Sequence, residues 1–563
     1  MNENYPSSDM KKASGKTLCF IWSFCLAACT ESDSVSGGAA AAGPQFDGDR
    51  IHAHVTLLAD DLYEGREAGS RGYDLAARYV ATQFKLLGLR PAGDDGYYQE
   101  VPFRASRVIE GSRAMSISAG DDTRVLETFE DYSTTATLGE KSVSITAPLV
   151  FVGYGVNAPS IEQDDFQGVD LNGKIAVTVR GAPAALGSEK RAFYASGRSH
   201  KFKELENRGA VGQIVFQHKP IASDAAALRG TKRERFWWTD ENGLAQETFA
   251  GLQVRAFLPQ RGAELLFADS PISFEHVRAM IEENDYEATD LGITATITQR
   301  MTHRTLFSSN VAGVLPGSDP EIKSEYVVFS AHLDGVGLDA DGDGDLINNG
   351  FYDNASGIGV MLEVARALVT AAEAPRRSIL FLAVTAEEKG LLGSDYFAAN
   401  PPVPAENIVA NVNMDMAMFL WRLQDVIAFG ARHSTLLGIV TRSAEHAGIE
   451  LSPDPFPERG LFTRSDQFSF VRRGVPSIFL ATGFKTNEQN VSGEHEFQAF
   501  MDTHYHSPSD DSHLRFDRRS AAKLAEMNYY IGLGVANAED RPRWNEHDFF
   551  GEMFGTEYTA PKK

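Results

Sequence analysis

Hydrophobic residues along the chain follow two patterns that predict different kinds of secondary structure. Residues 52–62 and 72–87 carry apolar side chains at a spacing of three to four, which is typical of amphipathic helices. Near-continuous runs of Val, Ile, Leu and Phe occur at 325–331, 378–385, 408–416 and 475–481. Strands of this composition are buried on both faces, and helical segments at 356–368, 434–447 and 521–536 alternate with them. We therefore expect an α/β fold in which a mixed, mostly parallel sheet is sandwiched by helices.

The middle of the chain differs from this pattern. Short apolar runs at 149–152, 174–179 and 212–216 predict buried strands, and a helix is expected at 199–208. We expect residues 141–288 to form a strand-rich inserted domain in which 182–199 and 221–248 are surface loops. The larger domain would then consist of an N-terminal segment, 47–140, and a core, 289–540, followed by a C-terminal tail, 541–563.

The composition narrows the class of protein. The 563 residues are 43% hydrophobic and 23% charged, which is typical of folded domains. Asp and Glu number 77 against 53 Lys and Arg, giving a formal net charge of −24. This balance argues against a nucleic-acid-binding protein, because phosphate contacts require a surplus of basic residues. A run of about 18 apolar residues, the minimum for a membrane span, is absent from the sequence.

The cysteines occur only at the start of the chain, at positions 19, 25 and 29. A disulfide framework or a thiolate metal site in the folded body is therefore excluded. Basic residues at 11, 12 and 16 precede an apolar segment, 18–28, which is the pattern of an export signal.

Residues 26–29, Leu-Ala-Ala-Cys, resemble a bacterial lipobox, in which the cysteine is lipid-modified after cleavage. The alternative is an ordinary secretory signal. The lipobox predicts a signal peptide at 1–28, a flexible tether at 29–46 and a lipid anchor at Cys29. Because Thr30 is not aspartate, we expect export to the outer membrane, facing the periplasm or the exterior.

Polar residues that could carry chemistry stand at the ends of the predicted core strands or in the following loops. They are His332 with Asp334, Asp353, the pair Glu387 and Glu388, Asp415, and His506. The carboxyl ends of parallel strands are where reactive groups gather in such sheets. Taken alone, each has another explanation: Asp353, for example, could cap the helix that follows it. Together, two histidines and three carboxylates form a ligand set for two divalent ions, best matched by zinc, with one carboxylate left as a base.

The neighbouring glutamates need separate roles. Consecutive residues of an extended strand point to opposite sides, so one glutamate can hold a cation while the other faces a water molecule. This argument does not say which of Glu387 and Glu388 has which role.

The complete set resembles peptidase family M28, the co-catalytic di-zinc aminopeptidases, in the subgroup that carries an inserted protease-associated (PA) domain. The resemblance covers about residues 50–535 and includes the segments 58–66 (Leu-Ala-Asp-Asp-Leu-Tyr-Glu-Gly-Arg), 464–466 (Arg-Ser-Asp) and 474–476 (Gly-Val-Pro). It implies the zinc-aminopeptidase fold, two Zn²⁺ ions per chain, and removal of N-terminal residues from peptide substrates. Residues 141–288 would be the PA domain.

The resemblance also assigns roles to individual residues. Asp353 would bridge both ions, His332 and Asp415 would complete one site, and Glu388 and His506 the other. Glu387 would be the general base, the Asp334 carboxylate would orient His332, and Tyr505 would donate to the oxyanion. His504 is a rival to His506 as the ligand.

Several alternatives remain open. They are a carboxypeptidase- or dipeptidase-like relative, a single-zinc enzyme resembling glutaminyl cyclase, and a binding protein without catalysis. The loop 339–345 begins like a calcium-binding EF-hand loop, but Gly350 stands where the twelfth-position Glu belongs. Bound Ca²⁺ and a solvated acidic loop are both compatible with that sequence, and the oligomeric state is not predicted.

Overall fold

The computed structural model describes residues 44–195, 200–219, 228, 230–339, 342 and 344–555. The predicted signal peptide and Cys29 lie outside these residues, as do Asp341 and Asp343 of the acidic loop. Among the helices of the described residues, none combines the length and the hydrophobicity that crossing a membrane requires.

Two helices and two strands open the described chain: α1 (Gly48–Leu58), α2 (Arg71–Leu86), β1 (Arg90–Pro91) and β2 (Tyr98–Val108). Helix α1 begins four residues before the predicted segment, because the side chain of Asp47 accepts hydrogen bonds from the backbone N–H groups of Asp49 and Arg50. Ser70 caps α2 in the same way through the N–H of Tyr73.

The next part of the chain is rich in strands. Its strands are β3 (Ala114–Ala119), β4 (Asp122–Leu126), β5 (Ser133–Thr134), β6 (Ser142–Phe151), β7 (Asn157–Ala158), β8 (Gln163–Asp164), β9 (Ile175–Val179), β10 (Gly212–Phe216), β11 (Arg235–Trp238) and β12 (Val254–Leu258). Its helices are α3 (Ser188–Ala195), α4 (Phe202–Asn207), α5 (Gln260–Phe267) and α6 (Phe274–Glu283). Strands β6, β9, β10 and β12 are parallel neighbours, and β5 pairs antiparallel with β12.

Both predicted surface loops contain regular structure. Helix α3 lies inside 182–199 and buries Phe193 and Tyr194, and β11 lies inside 221–248 and pairs with β2. The sequence pattern missed both because each element is short: α3 has eight residues and β11 has four. Strands β3 and β4, before residue 141, belong to the same sheet as β6. The assignment of 141–288 as a PA domain stays a prediction.

A single long strand, β13 (Thr289–Leu315), connects the two sheets. Its first half pairs with β3 and β6, and its second half pairs with β2 and β17 of the main sheet. Residues on either side of about position 301 therefore belong to different sheets although the backbone is continuous.

The rest of the chain builds the main sheet and its helices. The strands are β14 (Tyr326–His332), β15 (Gly337–Leu338), β16 (Ile347–Asn348), β17 (Ser378–Val384), β18 (Ile408–Asn413), β19 (Asp425–Phe429), β20 (Glu450–Ser452) and β21 (Ser477–Thr482). The helices are α7 (Ser356–Val369), α8 (Leu392–Ala399), α9 (Leu436–Ala447), α10 (Gln467–Val471), α11 (Gly493–Thr503), α12 (Arg518–Asn537) and α13 (Phe549–Phe554). The main sheet runs β11–β2–β13–β17–β14–β18–β21–β19–β20, with β17, β14, β18 and β21 parallel.

Helices cover both faces of this sheet. Phe329 and Phe381 pack with α1, α7 and α12 in one hydrophobic cluster, whereas Val328 and Leu380 pack with α8 and α10 in another. Helix α7 is almost wholly buried because α1 approaches it closely: a Cβ on Gly359 would lie 3.1 Å from the carbonyl oxygen of Ile51. The prediction of a mixed, mostly parallel sheet between helices is confirmed.

The C-terminal segment folds back onto the body of the protein. Phe550 in α13 is fully buried and contacts the rings of Phe462 and Phe468, and Phe549 contacts Phe193 of α3. Residues 549–554 therefore join the strand-rich part to the main domain.

Candidate metal centre

Two groups of potential ligands meet at the carboxyl end of the main sheet. His332, Asp353 and Asp415 form one group, and Asp353, Glu388 and His506 form the other; within each group, the ligand atoms lie within 4.8 Å of one another. The Nε2 atom of His332 is 3.2 Å from Oδ1 of Asp353, and Nε2 of His506 is 3.2 Å from Oδ2 of the same aspartate. Asp353 thus offers one oxygen to each group, as expected of a residue that bridges two ions.

The remaining ligand atoms complete each group at similar distances. Oδ1 of Asp415 lies 3.2 Å from Nε2 of His332, and Oε2 of Glu388 lies 3.1 Å from Nε2 of His506. His332 ends β14 and Asp415 follows β18, so the adjacent parallel strands bring them together. The hydroxyl of Ser465 donates to the second oxygen of Asp415, at 2.6 Å, which fixes the orientation of that carboxylate.

The loop that carries Asp353 is held by two buried side chains. The guanidinium of Arg66 donates to the carbonyl oxygens of Leu333, Asn349 and Gly350, so one side chain links the end of β14 to this loop. The carboxylate of Asp510 accepts from the N–H groups of Tyr352 and Asp353.

Gly350 is required in this loop. Its φ is +60°, and a Cβ there would lie 2.2 Å from the carbonyl oxygen of Asp353. Any side chain would therefore displace Asp353.

The structure corrects the reasoning about the two glutamates. Strand β17 ends at Val384, Ala386 has a left-handed φ of +54°, and Glu387 and Glu388 lie in the turn that follows. Their separation is therefore produced by a turn and not by an extended strand. The predicted arrangement is nevertheless present: Glu388 belongs to a ligand group, whereas Glu387 lines the adjacent pocket.

The predicted role of Asp334 needs a correction too. The Nδ1 atom of His332 lies 3.1 Å from the backbone oxygen of Asp334, whereas the nearer carboxylate oxygen is 4.0 Å away. That carboxylate accepts from the N–H groups of Glu387 and Glu388 instead, at 3.0 and 3.2 Å. The backbone turns at Asp334, so its carbonyl faces the imidazole while its side chain fixes the glutamate turn.

The positions of the two histidines favour His506 over His504 as the metal ligand. His506 lies in a ligand group, whereas Nδ1 of His504 is 2.8 Å from the hydroxyl of Ser509. Tyr505 stacks on the His506 ring, with 3.8 Å between ring centroids, and lines the same pocket as Glu387.

This pocket has a cavity volume of about 130 Å³. His332, Asp353, Glu387 and Asp415 form its polar end. Most of the remaining wall is apolar, including Met416, Ile427, Phe429, Phe456, Phe484 and Met501. The sequence analysis did not find these residues, because they lie on several loops and strand ends with no shared motif.

The crowding of charged side chains shifts the pKa values of several residues in the site. Burial raises the pKa of Glu387 well above its usual range, and the nearby Asp466 and Glu388 carboxylates add to this effect. Burial alone would raise the pKa of Asp353. Hydrogen bonds from His332 and His506 outweigh burial and hold that pKa well below its usual range. The Glu388 and Asp353 carboxylates raise the pKa of His506 to about 10, again against burial.

These residues fit a pair of metal ions. Four carboxylates and two imidazoles converge, and such a concentration of buried negative charge is costly unless cations share the space. Oε1 of Glu388 is buried and has no hydrogen-bond partner among the residues that the structure describes. Imidazole and carboxylate donors together suit ions of borderline hardness such as zinc.

Three supporting residues were not assigned roles from the sequence: Arg66, Asp510 and Asp466. The first two brace the Asp353 loop, and burial raises the pKa of Asp466 to about 7. Arg66 and Asp466 occur within the quoted sequence segments, and Asp510 lies four residues after His506, but nothing in their spacing revealed that they would be buried.

Comparisons with known proteins agree with this geometry. Residues 310–531 match the family model "Peptidase family M28". "Aminopeptidase NAALADL1" of Mus musculus is 24% identical over 317 residues, covering 48% of this chain and only 38% of that protein. "Probable leucine aminopeptidase 2" of Aspergillus fumigatus is 25% identical over 458 residues, covering 79% of this chain and 74% of that protein.

A solved structure supports the fold. The aminopeptidase from Aneurinibacillus sp. strain AM-1 superposes with a TM-score of 0.50 at 20% identity, covering 89% of this chain and 98% of that one. The segment matched by the family model contains every residue of the two ligand groups, as well as Glu387 and Tyr505. Residues 310–531 of this chain therefore form a domain of peptidase family M28.

Proposed function

We propose that the chain is a zinc-dependent aminopeptidase that removes N-terminal residues from peptides. The observation that carries this proposal is the pair of ligand groups sharing Asp353, with Glu387 lining the apolar pocket beside them. The aminopeptidases among the similar proteins support the same activity.

Two zinc ions would be held in this proposal, one by His332, Asp353 and Asp415 and the other by Asp353, Glu388 and His506. When bound, such ions polarise the scissile carbonyl and lower the pKa of water toward about 7.

The side chains around them perform the remaining chemistry. Glu387 accepts a proton from the attacking water and delivers it to the leaving amine. Its raised pKa makes it a stronger base than an exposed glutamate. Burial and the nearby carboxylates raise the pKa of Tyr505 well above its usual range, so its hydroxyl stays protonated and can donate to the carbonyl oxygen as negative charge develops there.

The pocket determines which end of a peptide is bound. Its apolar wall fits a hydrophobic side chain, and its acidic end fits a free α-ammonium group. A substrate whose N-terminal residue is large and apolar, with an unblocked amine, satisfies both ends of the pocket.

The test combines metal analysis with two matched variants. We expect two zinc equivalents per chain, hydrolysis of leucine p-nitroanilide, and no hydrolysis of its N-acetyl derivative. Glu387→Gln should keep both ions while the rate falls by about two to four orders of magnitude. Glu388→Gln should lose zinc affinity and recover activity in excess zinc.

Other outcomes would identify a different enzyme. One zinc equivalent with full activity would support the cyclase-like alternative. Cleavage only of C-terminal residues or of dipeptides would support the carboxypeptidase- or dipeptidase-like alternative. Loss of zinc in Glu387→Gln, with Glu388→Gln unaffected, would exchange the two roles.

We also propose that the protein is exported and anchored to the outer membrane through a lipid on Cys29. The support is the sequence of residues 11–29, in which basic residues, an apolar segment and Leu-Ala-Ala-Cys follow in order. The attached acyl chains would provide the membrane affinity.

A further inference from the structure

A second cavity lies away from the metal centre, between the strand-rich part and the main sheet. It has a volume of about 160 Å³ and is open to solvent. One wall consists of β2 and β11, where Arg104 stands directly opposite Trp237 in the pairing register. The facing wall carries Arg255 of β12 together with Phe202 and Phe249. None of these residues takes part in the proposed reaction.

The cavity has an excess of positive charge. Arg104, Arg235 and Arg255 line it, and Glu247 is an acidic residue in its wall. Glu247 forms an ion pair with Arg472, which also contacts Asp395, so its charge is already compensated. Within the described residues, neither Arg104 nor Arg255 has a carboxylate partner. A guanidinium group that lines a cavity without a carboxylate partner favours the approach of an anion.

Arg255 is the most confined of these side chains. Its guanidinium carbon lies 4.4 Å from the centre of the Phe202 ring, and Phe202 in turn packs edge-to-face on Phe249. Burial and the neighbouring Arg235 charge lower the pKa of Arg255 to about 9. The aromatic ring holds the guanidinium in place but does not neutralise it.

The aromatic residues add a second requirement for a ligand. Trp237, Phe202 and Phe249 are all partly exposed and line the cavity, which gives flat apolar surfaces beside the guanidinium groups. Guanidinium groups bind carboxylate and phosphate oxygens with charge-assisted hydrogen bonds, and aromatic faces favour planar or apolar groups. A small inorganic anion would compensate the charge of the arginines but would leave the aromatic surfaces in contact with water.

We propose that this cavity, lined by Arg104, Trp237 and Arg255, is a binding site for an organic anion that joins a carboxylate or phosphate to an aromatic body. The site is independent of the aminopeptidase proposal, since it shares no residue with the metal centre.

Calorimetric titration of the full zinc-loaded protein tests the proposal. The probes are phenylacetate and phenyl phosphate, which distinguish the two anionic groups, with benzyl alcohol and inorganic phosphate as partial ligands. We expect at least one of the two complete probes to bind at least tenfold more tightly than either partial ligand. Arg255→Gln should weaken that binding at least tenfold, whereas Arg519→Gln, which removes an exposed arginine of α12, should leave it unchanged.

Two results would overturn the proposal. Equal binding of benzyl alcohol would show that the charge has no role. Binding that persists in Arg255→Gln and disappears when zinc is removed would place the probe at the metal centre. If Arg255→Gln does not fold, Arg104→Gln carries the same expectation, because its side chain lies on the other wall and is partly exposed.

Discussion

His433 connects three parts of the chain that are distant in sequence, and its removal should lower stability in a pH-dependent way. Its Nδ1 atom lies 2.6 Å from Oδ2 of Asp548, and its Nε2 atom lies 3.3 Å from Oε1 of Glu189. Glu189 belongs to α3 of the strand-rich part, and Asp548 caps the C-terminal helix α13. His433 is only 4% exposed.

The magnitude follows from the pKa of the imidazole. Burial opposes protonation, but Asp548 and Glu189 raise the pKa of His433 from 6.5 to about 9. At about 1.4 kcal/mol per pKa unit, this difference corresponds to about 3 kcal/mol of stabilisation of the folded state. His433→Gln should lose most of this free energy at pH 6.

The sign of the pH dependence is fixed by the raised pKa. The folded state binds the proton more tightly than the unfolded state, so the stabilisation is fully present below about pH 6.5. It decreases as the pH rises and is lost as the pH passes through about 9. The difference in stability between wild type and His433→Gln should therefore shrink from pH 6 to pH 9.5.

Thermal unfolding followed by circular dichroism, at half-unit steps from pH 6 to pH 9.5, measures this difference. The matched control is His446→Gln, which removes an exposed histidine of α9 and should follow the wild type throughout. A difference between wild type and His433→Gln that stays constant over this range would refute the reasoning. Such a result would mean that His433 acts by packing against Phe462 and Phe550 and not by its charge.

Three further predictions concern other parts of the chain. Cys29→Ser should move the protein from the detergent phase to the aqueous phase in a Triton X-114 partition, and a wild type found in the aqueous phase would contradict the lipid anchor. Asp510→Asn should weaken zinc binding by about 10- to 100-fold in a chelator competition, because Asp510 holds the backbone N–H of Asp353; unchanged affinity would contradict this. Phe550→Ala should lower the free energy of unfolding by about 3 kcal/mol, as expected for a fully buried aromatic residue, and urea titration measures it.

The sequence predicted the main sheet well because its signal is local. Strands such as β14 and β17 are buried on both faces, so apolar residues dominate them and each run stands out from its surroundings. The strand-rich part was predicted less completely. Helix α3 has only eight residues and buries Phe193 and Tyr194 against the C-terminal segment, so its apolar surface depends on a partner more than 300 residues away.

The ligand groups were predictable for a related reason. His332, Asp353, Glu388 and Asp415 end a strand, follow one or precede a helix, and the parallel order of the sheet places those positions at one edge. His506 comes from the loop after α11. The residues that hold the ligand-bearing loop in place were not predictable in the same way. The side chains of Arg66 and Asp510 hold the Asp353 loop by hydrogen bonds to its backbone atoms. Every residue type has a backbone carbonyl, and all but proline have an N–H group, so the sequence does not reveal which of these groups will be bound.

The backbone at Glu387 and Glu388 forms a turn, whereas the sequence pattern predicted an extended strand. Alternation on an extended strand gave the correct separation of the two side chains, although the backbone there is not extended. The left-handed φ of Ala386 reverses the direction of the chain, and the carboxylate of Asp334 then binds both following N–H groups. Asp334 therefore determines the relative positions of Glu387 and Glu388, while its backbone oxygen orients His332. One residue thus couples the two halves of the site, a role that the spacing of His332 and Asp334 alone could not reveal.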